Sequence, residues 1–268
     1  MKVAAIQMVS GTEPAANVHT AARLIEEAAQ GGAELVALPE YFCLMGHSDR
    51  DKLGIAEEHG AGPLQDFLRA QASRLGIWLA GGTLPLRTDD PARVTNTTLV
   101  YAPDGREVTR YDKVHLFAFQ RGGESYDESR VQQGGAKPVA FELPSRDGHV
   151  WRVGLSTCYD LRFPELYRAL RADLLLVPSA FTHTTGQAHW EVLLRARAIE
   201  NLAWVLAPAQ GGRHANGRRT WGQTLAITPW GRVTGELAEG EGVVLADCDW
   251  AVMQEMREQL PALQHRRL

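Results

Sequence analysis

Three residues of reactive type each follow a predicted strand, and together they could carry nucleophilic catalysis. Glu40 follows a strand at residues 34–38 in LPEYF, Lys113 lies in RYDKVHLF, and Cys158 lies in LSTCYD. A thiolate can attack a carbonyl carbon, a carboxylate can carry the proton, and an ammonium can stabilise the developing oxyanion. A nearby lysine would favour the thiolate and lower its pKa, whereas burial alone would raise it. We therefore expect these three side chains to converge in one cleft.

The segment around Cys158 changes from a strand to a helix. Residues 150–157 alternate between apolar and polar, and Pro164 suits the first turn of a helix. A nucleophile at such a turn is held out from the sheet edge, near backbone N–H groups that can stabilise an anion. Two other interpretations stay open on these residues alone. Cys158 could be a buried structural cysteine, or it could pair with His183 or His189 as in papain-like enzymes.

The remaining elements must position these side chains. Hydrophobic periodicity predicts strands that alternate with helices, although hairpins interrupt the alternation. This pattern indicates an α/β fold with either a mixed sheet or two sheets packed face to face with helices outside, in a single domain over residues 1–268. Residues 112–137 form a long, poorly periodic segment, which we expect to be a functional or mobile loop. Predicted strands cover residues 2–8, 34–38, 77–83, 96–101, 107–111, 138–143, 150–157, 173–177, 203–207, 224–228 and 242–248, and predicted helices cover 15–30, 62–75 and 187–201.

Composition narrows the class of protein. The chain has 268 residues, of which 44% are hydrophobic and 22% charged, and its net charge is −4, so we expect neither a nucleic-acid partner nor a membrane partner. Three cysteines without C-x-x-C spacing favour a reducing cytoplasm and argue against a disulfide scaffold or a zinc site. The apolar part of MKVAAIQMVSG is short for a signal peptide, and it predicts a first strand instead.

The motifs LPEYF, YDKVHLF and TCYDLRFPEL, in that order, resemble the nitrilase superfamily of carbon–nitrogen hydrolases. The resemblance implies a four-layer α-β-β-α sandwich that pairs with a second copy as a homodimer, and a catalytic triad of Glu40, Lys113 and Cys158. It also implies a second glutamate that positions substrate or water. Glu128 is the better match for that role, and Glu124 competes with it. No metal or organic cofactor is expected.

Within the superfamily, CYDLRFPEL, HLF and the closing QLPALQHRRL are most similar to the Nit amidase branch, which contains deaminated glutathione amidases and ω-amidases. This resemblance implies a small anionic amide substrate and cationic residues near the site. The candidates are Arg162 and the loop at residues 213–219, and Tyr41, Tyr159 and Phe181 are expected to contact substrate. A true nitrilase, an N-carbamoyl amide hydrolase and a non-catalytic binding module remain alternatives.

Other polar residues near these motifs are interpreted as structural. Cys43 is expected to fill the core or wall the pocket, and Cys248 is expected to be a structural residue at a strand end. His115 lies two residues after Lys113 and is expected to support it. Asp160 is expected to shape the turn beside the nucleophile rather than to take part in chemistry.

Overall fold

Two mixed β-sheets face each other and helices cover the outer side of each sheet in the computed structural model, which describes residues 1–121 and 123–267. The first half of the chain forms β1 (Lys2–Gln7), α1 (Pro14–Gln30), β2 (Leu35–Ala37), α2 (Asp51–Gly54), α3 (Pro63–Leu75), β3 (Trp78–Ala80), β4 (Leu84–Arg87), β5 (Val94–Tyr101), β6 (Glu107–Asp112), β7 (Ala118–Arg121) and β8 (Glu124–Asp127). The second half forms β9 (Val139–Pro144), β10 (Val150–Leu155), α4 (Pro164–Leu170), β11 (Leu174–Leu176), α5 (His183–Asn201), β12 (Trp204–Ala207), β13 (Gly211–Arg213), β14 (Arg219–Trp221), β15 (Thr224–Ile227), β16 (Val233–Leu237), β17 (Gly242–Asp247) and α6 (Trp250–Gln259).

Each large sheet is built around three parallel strands. The first sheet has the order β17-β1-β2-β3-β5-β4, with β6 also paired to β5, and β1, β2 and β3 are parallel. The second sheet has the order β16-β15-β12-β11-β10-β9, with β10, β11 and β12 parallel. The carboxyl ends of the parallel strands in an open sheet are where ligands usually bind. Glu40 follows β2 and Cys158 follows β10, so each parallel set brings one reactive residue to such an end.

Three buried apolar layers hold the four layers of secondary structure together. Alternate residues of β1 show how the side chains divide: Val3 and Ala5 point between the two sheets, and Ala4 and Ile6 point toward the helices. The layer between the sheets is rich in aromatic side chains such as Trp151. The other two layers lie between the first sheet and α1 and α3, and between the second sheet and α4 and α5. The predicted α-β-β-α order is therefore confirmed.

Several predicted elements are wrong in extent. The segment 112–137 is not an unstructured loop, because β7 and β8 form a hairpin within it and a 3₁₀ turn follows at Glu128–Arg130. Gly122 of this segment lies outside the described residues, as does Leu268 at the end of the chain. The segment predicted as a loop at residues 213–219 connects β13 and β14, which pair as a hairpin, and its first and last residues belong to those strands. Short strands such as β4 carry too few residues for their alternation to be recognised in the sequence.

Candidate active site

A buried ammonium joins two carboxylates at the centre of the site. The Nζ of Lys113 donates to Oε1 of Glu40 at 3.0 Å and to both carboxylate oxygens of Glu128, at 3.0 and 2.8 Å. The Lys113 side chain is fully buried and that of Glu40 nearly so. Burial disfavours the charged ammonium, but the charges of Glu128 and Glu40 outweigh that effect and hold the pKa of Lys113 well above its ordinary value. Lys113 is therefore a permanent cation here.

Glu40 is fixed by groups from both sheets. Its Oε1 also accepts from Nδ2 of Asn96 at 2.8 Å, and its Oε2 accepts from the backbone N–H of Ala180 at 2.8 Å. Asn96 belongs to β5 in the first sheet, whereas Ala180 follows β11 in the second sheet. The carboxylate thus bridges the two halves of the sandwich, with three donors holding its orientation.

Glu128 is held as firmly as Glu40. The Tyr41 hydroxyl donates to its Oε1 at 2.8 Å, and the backbone N–H of Phe117 donates to its Oε2 at 2.7 Å. Burial alone would raise the pKa of Glu128, but the charge and hydrogen bonds of Lys113 lower it, so the group is a carboxylate. The Tyr41 hydroxyl in turn accepts from Nε2 of Gln132 at 2.8 Å. Tyr41 therefore positions Glu128. The sequence predicts only a contact with substrate for Tyr41.

The turn that carries Cys158 is strained and is held by one buried carboxylate. Cys158 has a φ of +50°, in the left-handed region that costs a residue with a side chain about 1–2 kcal/mol. Asp160 accepts from the backbone N–H of Thr157 at 2.8 Å, from the Tyr111 hydroxyl at 2.6 Å and from the backbone N–H of His115 at 3.0 Å. Asp160 therefore shapes the turn, as expected. His115 pairs through Nδ1 with Asp160 at 2.7 Å, so it supports this turn rather than Lys113.

Opposing effects act on the thiol of Cys158. Burial and the carboxylate of Glu40 raise the pKa of its thiol well above the ordinary value, and Lys113 only partly opposes them. The centre holds two carboxylates and one ammonium, so its excess negative charge opposes a second anion. Lys113 lowers the Cys158 pKa, as predicted, but burial and Glu40 outweigh its effect. The sulfur is a neutral thiol that must give up its proton during reaction.

One backbone donor expected to bind an oxyanion is already occupied. The N–H of Cys158 donates to the carbonyl oxygen of Pro178 at 3.0 Å. This bond ties the strained turn to the segment after β11.

A cavity with about 360 Å³ of empty space, part of it open to solvent, lies in front of Cys158. It is lined by reactive, aromatic and cationic side chains, namely Glu40, Tyr41, Phe117, Glu128, Cys158, Tyr159, Arg162, Ala180, Phe181, Thr182, Thr185 and Arg218. The predicted residues Glu40, Tyr41, Glu128, Cys158, Tyr159, Arg162 and Phe181 all line this cavity, whereas Lys113 is fully buried behind it and the predicted loop at residues 213–219 contributes Arg218. The guanidinium carbon of Arg162 lies 5.8 Å from the ring of Tyr159 and 5.7 Å from the ring of Phe181. These three residues thus form one wall.

Several competing candidates do not reach the cavity. Glu124 lies on β8 and is not among the lining residues, so Glu128 is the glutamate that lines this cavity beside Glu40. The ring of His183 packs against Trp221, and His189 contacts Arg162 through Nδ1 at 3.3 Å, so neither histidine faces the thiol as a papain-like pair requires. Cys43 and Cys248 are buried in apolar layers away from the cavity.

Sequence reasoning missed two groups that hold Glu40. The side chain of Asn96 and the backbone N–H of Ala180 both donate to its carboxylate. The predicted cationic loop at residues 213–219 does contribute, because Arg218 lines the cavity. Asn96 is a polar residue in a strand that is buried along its whole length, which is a signal that a sequence search could have used. The position of Ala180 depends on how the two sheets pack, and no local pattern reveals it.

The chain matches known proteins along nearly its full length. A family model described as carbon–nitrogen hydrolase matches residues 2–258. A deaminated glutathione amidase of Synechocystis sp. is 41% identical over an alignment of 269 residues that covers 98% of this chain and 97% of the relative. A deaminated glutathione amidase of Yersinia enterocolitica is 38% identical over an alignment of 271 residues that covers 99% of this chain and 92% of the relative.

Solved structures agree with these matches. The Caenorhabditis elegans NitFhit protein superposes with a TM-score of 0.90 at 36% identity, over 99% of this chain and 65% of that one. A mutant amidase from Nesterenkonia sp. AN1, with acrylamide added to its active-site cysteine, superposes with a TM-score of 0.79 at 25% identity, over 97% of this chain and 98% of that one. The chain therefore belongs to the carbon–nitrogen hydrolase family, as an enzyme of the amidase type.

Proposed function

We propose that the chain hydrolyses the amide of a small anionic acid through a thioester on Cys158, with Glu40 and Lys113 completing the triad. The observation that carries this proposal is the position of Cys158. It lies on a strained turn and lines the same cavity as Glu40, whose carboxylate is hydrogen-bonded to the Lys113 ammonium. A thiol, a carboxylate and an ammonium held together in this way supply the nucleophile, the proton carrier and the oxyanion stabiliser of acyl transfer.

In the first half of the reaction, the amide is exchanged for a thioester. Glu40 accepts the Cys158 proton as the sulfur attacks the carbonyl carbon, because a thiol with a raised pKa needs a base at that moment. The Lys113 ammonium and the Tyr159 N–H stabilise the oxyanion. As the carbon–nitrogen bond breaks, Glu40 returns the proton to the leaving nitrogen, and ammonia or an amine departs.

In the second half, water cleaves the thioester. Glu40 takes a proton from the attacking water, and Glu128 orients that water at the cavity wall. When the carbon–sulfur bond breaks, the proton returns to sulfur, which restores the neutral thiol, and the carboxylic acid leaves. Each residue has the same charge at the end of the cycle as at its start. This suits a centre in which the carboxylates of Glu40 and Glu128 already accept hydrogen bonds from fixed backbone N–H groups.

Two observations support deaminated glutathione as the substrate. Curated relatives from Synechocystis sp. and Yersinia enterocolitica carry the name deaminated glutathione amidase. Arg162 lines the cavity four residues after Cys158, and a guanidinium can bind a carboxylate with two parallel hydrogen bonds. An acyl group that carries a carboxylate close to the scissile amide would fit this wall.

The activity test measures amine or ammonia release from deaminated glutathione, 2-oxoglutaramate and 2-oxosuccinamate. Replacing Cys158 by Ala should abolish turnover and leave the fold intact, whereas Cys43→Ala removes a buried thiol outside the cavity and should retain turnover. A Cys158→Ala protein that hydrolyses an amide as fast as the parent would refute the nucleophile. The amidase assignment would be refuted if none of the three amides were cleaved and the enzyme instead released ammonia from a nitrile or carbon dioxide from an N-carbamoyl compound.

A homodimer is the second part of the proposal. Val192 and Ile199 on α5 and Trp230 in the β15–β16 turn are 66%, 47% and 61% exposed. Arg195 of α5 donates to the carbonyl oxygen of Gly231 at 2.8 Å, which places the helix and the turn side by side. Large apolar side chains grouped on one surface favour association. Sedimentation should show a dimer that Val192→Glu weakens, and a monomeric parent protein would contradict the proposal.

We further propose that the enzyme acts in the cytoplasm. Its three cysteines are all free thiols, which a reducing compartment preserves. In the described part of the chain, no helix combines the length and the apolar character needed to span a bilayer. Fractionation of cells followed by detection of the protein would test the location.

A further inference from the structure

Arg218 is a half-buried cation on the cavity wall whose charge is not neutralised by a close carboxylate. It lines the cavity in front of Cys158, on the loop between β13 and β14. Within residues 1–121 and 123–267, no aspartate or glutamate oxygen lies within ion-pair distance of its guanidinium. Asp49 is near enough for Arg218 to help lower its pKa, after Lys52, but it forms its ion pair with Lys52. A guanidinium that faces a cavity without such a partner is available to a carboxylate of the substrate.

The backbone that carries Arg218 is fixed to the rest of the protein. His214 is buried and bonds through Nδ1 to the carbonyl oxygen of Ser10 at 2.9 Å and through Nε2 to the hydroxyl of Thr220 at 2.7 Å. The side chain of Asn216 donates to the carbonyl oxygen of Gly46 at 2.7 Å and accepts from the backbone N–H of Arg218 at 2.9 Å. A cation on a fixed loop has a defined position relative to Cys158. Such a cation can select substrates in which a carboxylate lies at one particular distance from the scissile bond.

The side chain of Arg218 reaches a second hairpin. Its guanidinium carbon lies 5.2 Å from the centre of the Tyr126 ring on β8. An arginine over an aromatic face keeps its hydrogen-bond donors in the plane of the guanidinium, where they remain free for a carboxylate. Arg162 has the same arrangement against Tyr159 and Phe181. The cavity therefore presents two cations, one close to the nucleophile in sequence and one on a different element.

We propose that Arg218 is a specificity-determining residue that binds a second carboxylate of the substrate, so that the enzyme prefers amides with a carboxylate on each side of the scissile bond. This inference rests on the proposed amidase function. Arg162 would then hold the acyl part of the substrate, and Arg218 the carboxylate on the leaving amine. Deaminated glutathione has this charge distribution, whereas 2-oxoglutaramate has a single carboxylate and releases ammonia.

The test compares the two substrates within each variant. The quantity measured is kcat/KM for deaminated glutathione divided by kcat/KM for 2-oxoglutaramate. In Arg218→Gln this ratio should fall at least about tenfold, the usual effect of losing one charge-assisted hydrogen-bonded pair. Arg219→Gln is the matched control, because Arg219 is the next residue but pairs with Glu239 at the surface at 2.8 Å. Its ratio should equal that of the parent.

The outcomes separate this inference from the function on which it rests. A ratio in Arg218→Gln within about twofold of the parent would overturn the role of Arg218. The same holds if both activities fall by the same factor, because a general shift of the hairpins leaves the ratio unchanged. A parent enzyme that cleaves neither amide would instead refute the proposed function. As a binding measurement, calorimetry on Cys158→Ala should show weaker binding of deaminated glutathione once Arg218→Gln is added, and equal affinity would also overturn the role.

Discussion

Lys113 determines the charge balance of the site. Its single positive charge lies between the carboxylates of Glu40 and Glu128; Lys113 and Glu40 are buried, and Glu128 is largely so. Burial and the carboxylate of Glu40 raise the pKa of the Cys158 thiol, so Cys158 stays protonated until a base accepts its proton. The proposed nucleophile is therefore held in its less reactive, protonated form.

Removing the Lys113 ammonium should affect both catalysis and folding. In Lys113→Ala, kcat/KM should fall by at least about 10²-fold, as for other losses of an oxyanion donor. The two buried carboxylates would lose their common partner, so the free energy of unfolding should fall by about 3–5 kcal/mol. Amide hydrolysis and urea denaturation measure the two effects.

The matched control for this variant is Lys137→Ala, because Lys137 is an exposed lysine. It should retain both turnover and stability. A loss of less than about threefold in the turnover of Lys113→Ala would remove Lys113 from oxyanion stabilisation.

Residue types at strand ends, together with the resemblance to the nitrilase superfamily, predicted the three central side chains, but their electrostatics were not predictable. The sequence shows that Glu40, Lys113 and Cys158 each follow a strand. The direction of the Cys158 pKa shift depends on burial and on the carboxylates of Glu40 and Glu128, which are properties of the packed centre. The loop at residues 213–219 was predicted as a cationic segment near the site, but it holds several arginines, and only the fold shows that Arg218 lines the cavity.

The turns after the strands place these residues, and glycine allows two turns to approach each other. Gly82 follows β3 with a φ of +58°, and a Cβ built on it would lie 2.1 Å from the carbonyl oxygen of Pro39. Pro39 directly precedes Glu40, and Tyr41 has a φ of +55°. The turn that carries the carboxylate is therefore in close contact with the turn after β3. Only glycine fits at position 82 without displacing it.

A methyl group at position 82 should reduce catalysis by displacing Glu40. We expect Gly82→Ala to lose turnover and at least about 2 kcal/mol of stability, because the clash adds to the strain of a positive φ. Gly76→Ala is the matched control, since Gly76 has a φ of +63° with no atom within 4 Å of a built Cβ. It should cost about 1 kcal/mol and retain turnover. Equal losses of turnover and stability in the two variants would show that strain alone explains the effect.

The elements of the two sheets were predictable from apolar periodicity, whereas the hairpins around the cavity were not. Strands such as β10 alternate over six residues, and the alternation survives because one face packs between the sheets. The β7–β8 hairpin is mostly exposed and partly polar, so its residues show no period. Its position depends on contacts such as that between Arg218 and Tyr126, which join residues far apart in the sequence.

At the scale of the whole molecule, the three cysteines lie in three different apolar layers. Cys248 lies between the sheets, Cys43 between the first sheet and its helices, and Cys158 in the layer of the second sheet and its helices. Burial raises the pKa of each thiol, and that of Cys43 reaches about 12 from an ordinary value of 9.0. The folded state therefore keeps these protons at a pH where the unfolded chain releases them.

Alkaline pH should consequently destabilise the protein. Above about pH 9 the unfolded thiols lose protons that the folded ones retain, so the free energy of unfolding decreases by about 1.4 kcal/mol per pH unit for each cysteine. Urea denaturation of Cys43→Ala between about pH 9 and 10 should show a slope shallower by about this amount than that of the parent. The comparison of slopes is independent of the cost of the cavity that the alanine leaves. An unchanged slope would show that Cys43 ionises equally in both states.

Glu40 accepts a hydrogen bond from the backbone N–H of Ala180 across the interface between the sheets. Lys113 follows β6 of one sheet and Cys158 follows β10 of the other, so neither half of the sandwich holds all the reacting groups. A gene cut between these halves would encode two inert fragments, and hydrolysis would return only on their reassociation. Hydrolysis would therefore measure how much of the two fragments has assembled.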